Sequence, residues 1–165
     1  MFLGEAWLIE RAVGERLAAV EHIGSTSVSG LAAEPIVDIM AGVVSLRDSE
    51  ASIRALADAG YQYRPDQEDY LPERRYLIKP SDEITPVTLY HLHIVEISSD
   101  FWTRHLLFRG HLRSNPDTAA GYVALKRRLA ARHGSDRAGY ADAKTGFVRS
   151  VEQTARAGRA GRPRR

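Results

Sequence analysis

Apolar and polar positions change rhythm along this chain, and each change marks an element. Over residues 5–19, Trp7, Leu8, Val13, Leu17 and Ala18 lean to one side at helical spacing, which predicts an amphipathic helix. A strand is expected over 20–23, then a turn at Gly24, Ser25, Thr26 and Ser27, then a short helical turn over 27–31. Pro35 ends any helix and starts a second strand. In that strand Ile36, Asp38 and Met40 alternate with Val37 and Ile39, so a carboxylate shares its face with apolar neighbours. Residues 48–59 read as a helix capped by Asp48 or Ser49 and stopped at Gly60. The order helix, strand, turn, strand, helix is that of a small α/β sheet.

Further strands are expected over 61–64, 75–79 and 87–97, with a turn-rich connection over 80–86. The loop over 65–74 carries Asp66, Glu68, Asp69 and Glu73. It reads as solvated surface, with a lid or a metal contributor as the alternative. The C-terminal third is helical. Ser98 or Ser99 caps a helix holding Phe101, Trp102, His105, Leu106, Phe108 and Leu112, and Asn115-Pro116 opens the next, which runs to about His133. Gly110 lies inside the first of these, at a cost of about 1 kcal/mol relative to Ala. Gly134-Ser135-Asp136 breaks the run, and a last helix covers 137–154.

Composition adds limits rather than direction. A length of 165 residues suits one domain over 1–155, followed by a disordered Arg- and Gly-rich tail over 156–165. The absence of cysteine excludes disulfides and thiolate metal sites, and no apolar run approaches a membrane span. A cytoplasmic location and no membrane partner are therefore expected. The formal net charge is +2, and setting aside the five arginines of the tail leaves the remainder at −3. The high isoelectric point thus does not mark a basic binding face. Weak nucleic-acid contact through the tail is the alternative to a merely solubilising end.

Candidate chemistry gathers at three places. A glycine followed by small hydroxyl residues leaves backbone N–H groups able to converge on an anion, which makes Gly24, Ser25, Thr26 and Ser27 a candidate phosphate turn. The alternative is an ordinary turn, with Asp38 pairing to a buried Arg or His. His91 and His93 stand at i and i+2 of a strand and so share a face. Two such imidazoles suit metal binding, a phosphate oxygen or proton transfer, and equally suit plain hydrogen bonding to backbone. On the helices, Arg109 and Arg113 lie four apart as an anion clamp. Tyr122 with Lys126 and Tyr140 with Lys144 repeat the same spacing, either as phosphate-facing pairs or as packed rings with snorkelling lysines.

The stretch EHIGSTSVSGLAAEPIVDIM from Glu21 to Met40 resembles the signature of the GrpB family, typically close to EHIGSTSVPGLAAKPIIDI. The likeness continues in order through YHLHIVE, LFRGHLR, YVALK and YADAKTGF, covering nearly the whole chain from about Glu21 onward. Glu34 stands where the family usually has Lys, Gly110 where it usually has Asp, and Ser29 where it usually has Pro. The resemblance implies a nucleotidyltransferase-like α/β fold: a small mixed β-sheet with flanking helices and a C-terminal helical hairpin that closes one side of a cleft. It also implies a nucleotide or coenzyme-like ligand, since GrpB-like domains resemble an appendage of dephospho-coenzyme A kinases. In that reading Mg²⁺ or Mn²⁺ assists transfer of a nucleotidyl or phosphoryl group to a small acceptor. Asp38, His91 and His93 are then the catalytic and metal-binding candidates. Gly24, Ser25, Thr26, Ser27, Arg109, Arg113, Tyr122, Lys126, Tyr140 and Lys144 bind the phosphates or nucleotide. The alternative is a catalytically inactive binding module with the same pocket.

Overall fold

The computed structural model of the chain describes residues 2–31, 36–80, 88–134 and 136–160. They fall into two compact units, one formed by Met1–Ser27 with Ala33–His105, the other by Val28–Ala32 with Leu106–Arg165.

The first unit is an α/β sheet. Helix α1 (Phe2–Val13) leads through a 3₁₀ turn, Gly14–Arg16, into β1 (Leu17–Ile23); a second 3₁₀ turn, Ser25–Ser27, precedes β2 (Val37–Val43). Then come α2 (Ser49–Asp58), β3 (Gln62–Tyr63), β4 (Arg74–Pro80), β5 (Thr88–Glu96) and the first turns of α3 (Asp100–Ser114). The strand order is β1-β2-β5-β4-β3. Only the β2–β5 pair is parallel, so the sheet is mixed.

Two expectations are corrected here. The first helix stops at Val13 rather than near residue 19, and the strand begins at Leu17. No residue of the intervening turn is buried, so nothing holds a further helical turn against the sheet. The helix expected over 27–31 is instead the single 3₁₀ turn at Ser25–Ser27, which offers no aligned helix end. The connection at 80–86 and the Glu34 position lie largely outside the described residues.

Alternation along the strands divides the sheet into two unlike faces. Val37, Ile39, Ala41 and Val43 of β2, Leu77 of β4, and Tyr90, Leu92 and Ile94 of β5 point to one side, where they form a core with Ile9, Val13 and Leu56 of the two helices. Ile9, Ile39, Leu56, Leu77, Leu92 and Ile94 are wholly buried. One charge is set into this face: Lys79 Nζ lies 2.8 Å from Oε1 of the buried Glu5 and over the rings of Tyr61 and Tyr90. Burial, reinforced by the Glu5 carboxylate, pushes the Tyr61 phenol far above its usual range, so it stays neutral. The opposite face carries Asp38 and Met40, His91 and His93, and Arg74 and Tyr76, as the strand registers require. Helix α3 reaches this face through Trp102, which comes so close to β2 that a Cβ on Gly42 would overlap it and Ile97.

The second unit is helical. The remainder of α3, α4 (Pro116–His133) and α5 (Arg137–Ala160) enclose Val28, Leu112 and Tyr122. Helix α3 runs unbroken through Gly110, where an added Cβ would meet open space. Its start is capped by Ser99, whose Oγ accepts the Trp102 N–H at 3.1 Å. Helices α4 and α5 form the expected hairpin, and α5 extends beyond residue 154 to Ala160 because Ala155, Arg156 and Ala157 are strong helix formers.

Candidate functional site

The polar face of the sheet is built from three strands. In the parallel register Asp38 of β2 lies beside His91 of β5, and in the antiparallel register His93 lies beside Tyr76 of β4. His91 Nδ1 sits 3.2 Å from Asp38 Oδ1, with both side chains a little over one-quarter exposed. An Nδ1–H held by a carboxylate leaves Nε2 with its lone pair, the arrangement of an oriented base. Both groups face solvent-accessible space.

Gly24 is the reason this carboxylate can sit where it does. Its φ is +69°, and a Cβ there would overlap Asp38 Oδ2 and approach Cγ to 2.9 Å. The turn that follows is closed on itself. Ser27 Oγ donates to Gly24 O at 2.7 Å, Thr26 Oγ1 donates to Ile36 O at 3.3 Å, and His22 Nε2 lies 3.0 Å from Thr26 Oγ1. The Gly-Ser turn and Asp38 are thus in direct contact, as a joint site needs. A carboxylate against the turn repels a bare phosphate, so an anion approaching the turn needs a cation between them.

His93 shares the face but has a different neighbour. Arg74 Nη1 donates to His93 Nδ1 at 2.7 Å, and the guanidinium lies 4.7 Å over the Tyr76 ring. Burial, then the charge of Arg74, holds the His93 imidazole well below its ordinary range, so it stays neutral. His105 of α3 is also lowered, chiefly by burial; its Nδ1–H donates to Phe101 O at 2.7 Å, and its ring stacks on Phe101 at 4.1 Å. Arg74, Tyr76 and His105 escaped sequence reasoning as site residues. The signal was present in Arg74-x-Tyr76, two polar-tipped side chains on one face of a strand, and in a histidine within an otherwise apolar helical stripe.

The donor set bears on the metal expectation. Among the described residues no group of three His, Asp or Glu side chains is disposed to hold a metal ion. His93 does not fit as a ligand, because its Nδ1 is taken by a cation. Asp38 fits Mg²⁺ as the one protein carboxylate of an ion held mainly by phosphate oxygens and water, a common manner of binding for that ion.

The other candidates belong to the second unit. Tyr122 is buried, with its ring against Phe108 and Phe147, so it packs. Lys126 Nζ lies 5.9 Å over the Tyr122 ring and Lys144 Nζ 4.2 Å over that of Tyr140, so each pair shares a helical face as the spacing required. Arg109 and Arg113 stand one turn apart on α3, the former half-buried and the latter exposed. No helix among the described residues is long and apolar enough to cross a membrane.

The family described as "GrpB protein" matches residues 1–154. The glutamate-rich protein GrpB of Alkalihalophilus pseudofirmus is 32% identical over 152 residues, 92% of this chain and 86% of that one. The crystal structure of conserved protein GrpB from Enterococcus faecalis superimposes with a TM-score of 0.79 at 35% identity, covering 93% of this chain and 89% of that chain. A dephospho-CoA kinase of Mycolicibacterium paratuberculosis is 29% identical over 169 residues, 89% of this chain but 41% of the kinase. Across such relatives the chain spans from 41% to 86% of their own length.

Proposed function

We propose, from the premise that this chain belongs to the GrpB family, that it binds a nucleotide or coenzyme-like phosphate ligand and transfers a phosphoryl or nucleotidyl group to a small acceptor. The observation that carries this reading is the position of Asp38, in contact with Gly24 on one side and with His91 on the other. Asp38 holds the His91 Nδ1–H and so presents Nε2 to an acceptor hydroxyl. His91 Nε2 takes the hydroxyl proton as the acceptor oxygen bonds to phosphorus and the bond from phosphorus to its leaving oxygen breaks. Mg²⁺ or Mn²⁺ supplies charge neutralisation of the phosphates, with Asp38 as its protein ligand. The dephospho-CoA kinase relative supports a coenzyme- or nucleotide-type ligand.

A thermal-shift panel of nucleoside triphosphates and coenzyme A precursors, with and without Mg²⁺ or Mn²⁺, tests the proposal. A ligand at a hundred times its Kd stabilises the folded state by about 2.7 kcal/mol, enough to read as a rise in Tm. The expected result is a rise that needs both nucleotide and metal and is lost in Asp38→Asn. No rise with any ligand would sink the proposal. A second reading, a binding module without turnover, is favoured by Asp38 being the carboxylate that meets Gly24 among the described residues. It predicts a metal-independent rise that survives Asp38→Asn.

A further inference from the structure

The guanidinium of Arg74 has the surroundings of a group that awaits a counter-ion. Neighbouring cations of the first unit have carboxylates: Lys79 with Glu5 at 2.8 Å, Arg75 with Glu68 at 3.3 Å, Arg104 with Asp100 at 3.0 Å and Arg64 with Asp66 at 3.1 Å. Arg74 has none within ion-pair distance among the described residues. Glu73, its neighbour in sequence, faces Arg104 at 3.7 Å. Its partners are instead an imidazole nitrogen, His93 Nδ1, and the face of the Tyr76 ring. Its Nε is buried without a hydrogen-bond acceptor. A half-buried cation with no carboxylate at ion-pair distance and one buried N–H unsatisfied is incompletely compensated, and an arriving anion relieves it.

The imidazole beside it is set to help. Because Arg74 donates to His93 Nδ1, the ring proton of neutral His93 resides on Nε2, and the imidazole holds the guanidinium in place without adding a charge of its own. The planar guanidinium is itself shaped for carboxylate or phosphate oxygens. Tyr76 lies against both His91 and His93, with ring centroids 5.5 and 5.2 Å away. Asp38, His91, His93 and Arg74 thus form one row along a single sheet face, anionic at one end and cationic at the other.

We propose that Arg74, held against His93, forms an anion-binding subsite that receives a phosphate or carboxylate group of the ligand, apart from the Gly24 turn. This rests on the reading of the same face as the ligand site and names the group that takes the ligand's anion. A ligand spanning the row would place its anionic group at Arg74 and its reacting hydroxyl at His91.

Titration calorimetry of the full chain with inorganic phosphate and with acetate, in metal-free buffer, tests this. Phosphate or acetate is expected to bind the wild type. Loss of the charge-assisted hydrogen bonds in Arg74→Met should weaken binding by about tenfold or more, with Arg74→Lys between the two. Arg64→Met, which removes an exposed arginine, should bind as the wild type does. Preference for phosphate or for acetate identifies which anion the subsite takes. Unchanged binding in Arg74→Met, or no binding of either ion to the wild type, would overturn the inference. Should Arg74→Met fail to fold by circular dichroism, imidazole ¹⁵N spectra of the wild type decide it. Phosphate or acetate must then shift the His93 resonances, and spectra that do not move reject the subsite. Phosphate binding without any nucleotide shift would retire the transfer reading and leave the subsite standing.

Discussion

Lys79 and Arg74 stand on the same strand, five residues apart and therefore on opposite faces of the sheet, and the chain treats their charges differently. On the helix-covered face Lys79 meets the buried Glu5 at 2.8 Å, and its stem lies against two tyrosine rings. On the other face Arg74 meets a neutral imidazole and an aromatic ring, with no carboxylate among the described residues. The first arrangement is complete within the protein. The second is completed by something from outside it, and that difference separates a structural charge from a receptive one.

The largest effect should come from breaking the complete arrangement. Lys79→Met leaves Glu5 buried without its partner and should lower stability by about 3–5 kcal/mol, read from the urea midpoint, with Glu5→Gln in the same chain restoring part of the loss. Arg74→Met, by contrast, should cost less, about 1–3 kcal/mol, since no buried carboxylate is orphaned and only the His93 Nδ1 loses its donor. Equal losses from the two variants would break the comparison. A similar cost is expected for Gly24→Ala, about 1–3 kcal/mol, because the residue must hold positive φ with its Cβ overlapping the Asp38 carboxylate.

Acid should expose the polar face more gently still. His93 and His105 have folded-state affinities for protons below the ordinary histidine value of 6.5, both chiefly through burial. The unfolded chain then binds more protons than the folded one whenever pH falls below that value. The contribution to stability is whole above about pH 6.5 and is lost as pH drops through and below it. Denaturant midpoints measured from pH 8 to pH 5 should decline, and His93→Gln should flatten the decline.

What could be read in advance follows from the range of the interactions. The face shared by Asp38 and Met40, and the face shared by His91 and His93, came from alternation within single strands, which needs no knowledge of partners. The cap at Ser99, the start at Pro116 and the helical pairing of Tyr140 with Lys144 were local in the same way. The meeting of Asp38 with His91 was not legible from spacing, because it depends on β2 and β5 lying side by side across 53 residues of chain. Arg74 was hidden for a related reason. In an Arg-Arg-Tyr run beside an acidic loop, Arg75 pairs with Glu68 while Arg74 lies on the polar face against His93, and only the register against β5 decides which. The first helix was overextended because Leu17 and Ala18 continue a helical stripe that the strand also uses.

The parallel pairing of β2 with β5 has a consequence for how this site is inherited. Asp38 and His91 meet at one rung of a ladder in which neighbouring rungs alternate between the polar face and the core. A single residue inserted or deleted within β5 ahead of His91 would turn both histidines toward α1 and α2 and bring Leu92 and Ile94 to the polar side. Point substitution can change this site one group at a time, whereas a one-residue change in strand length would dismantle the site and the core together.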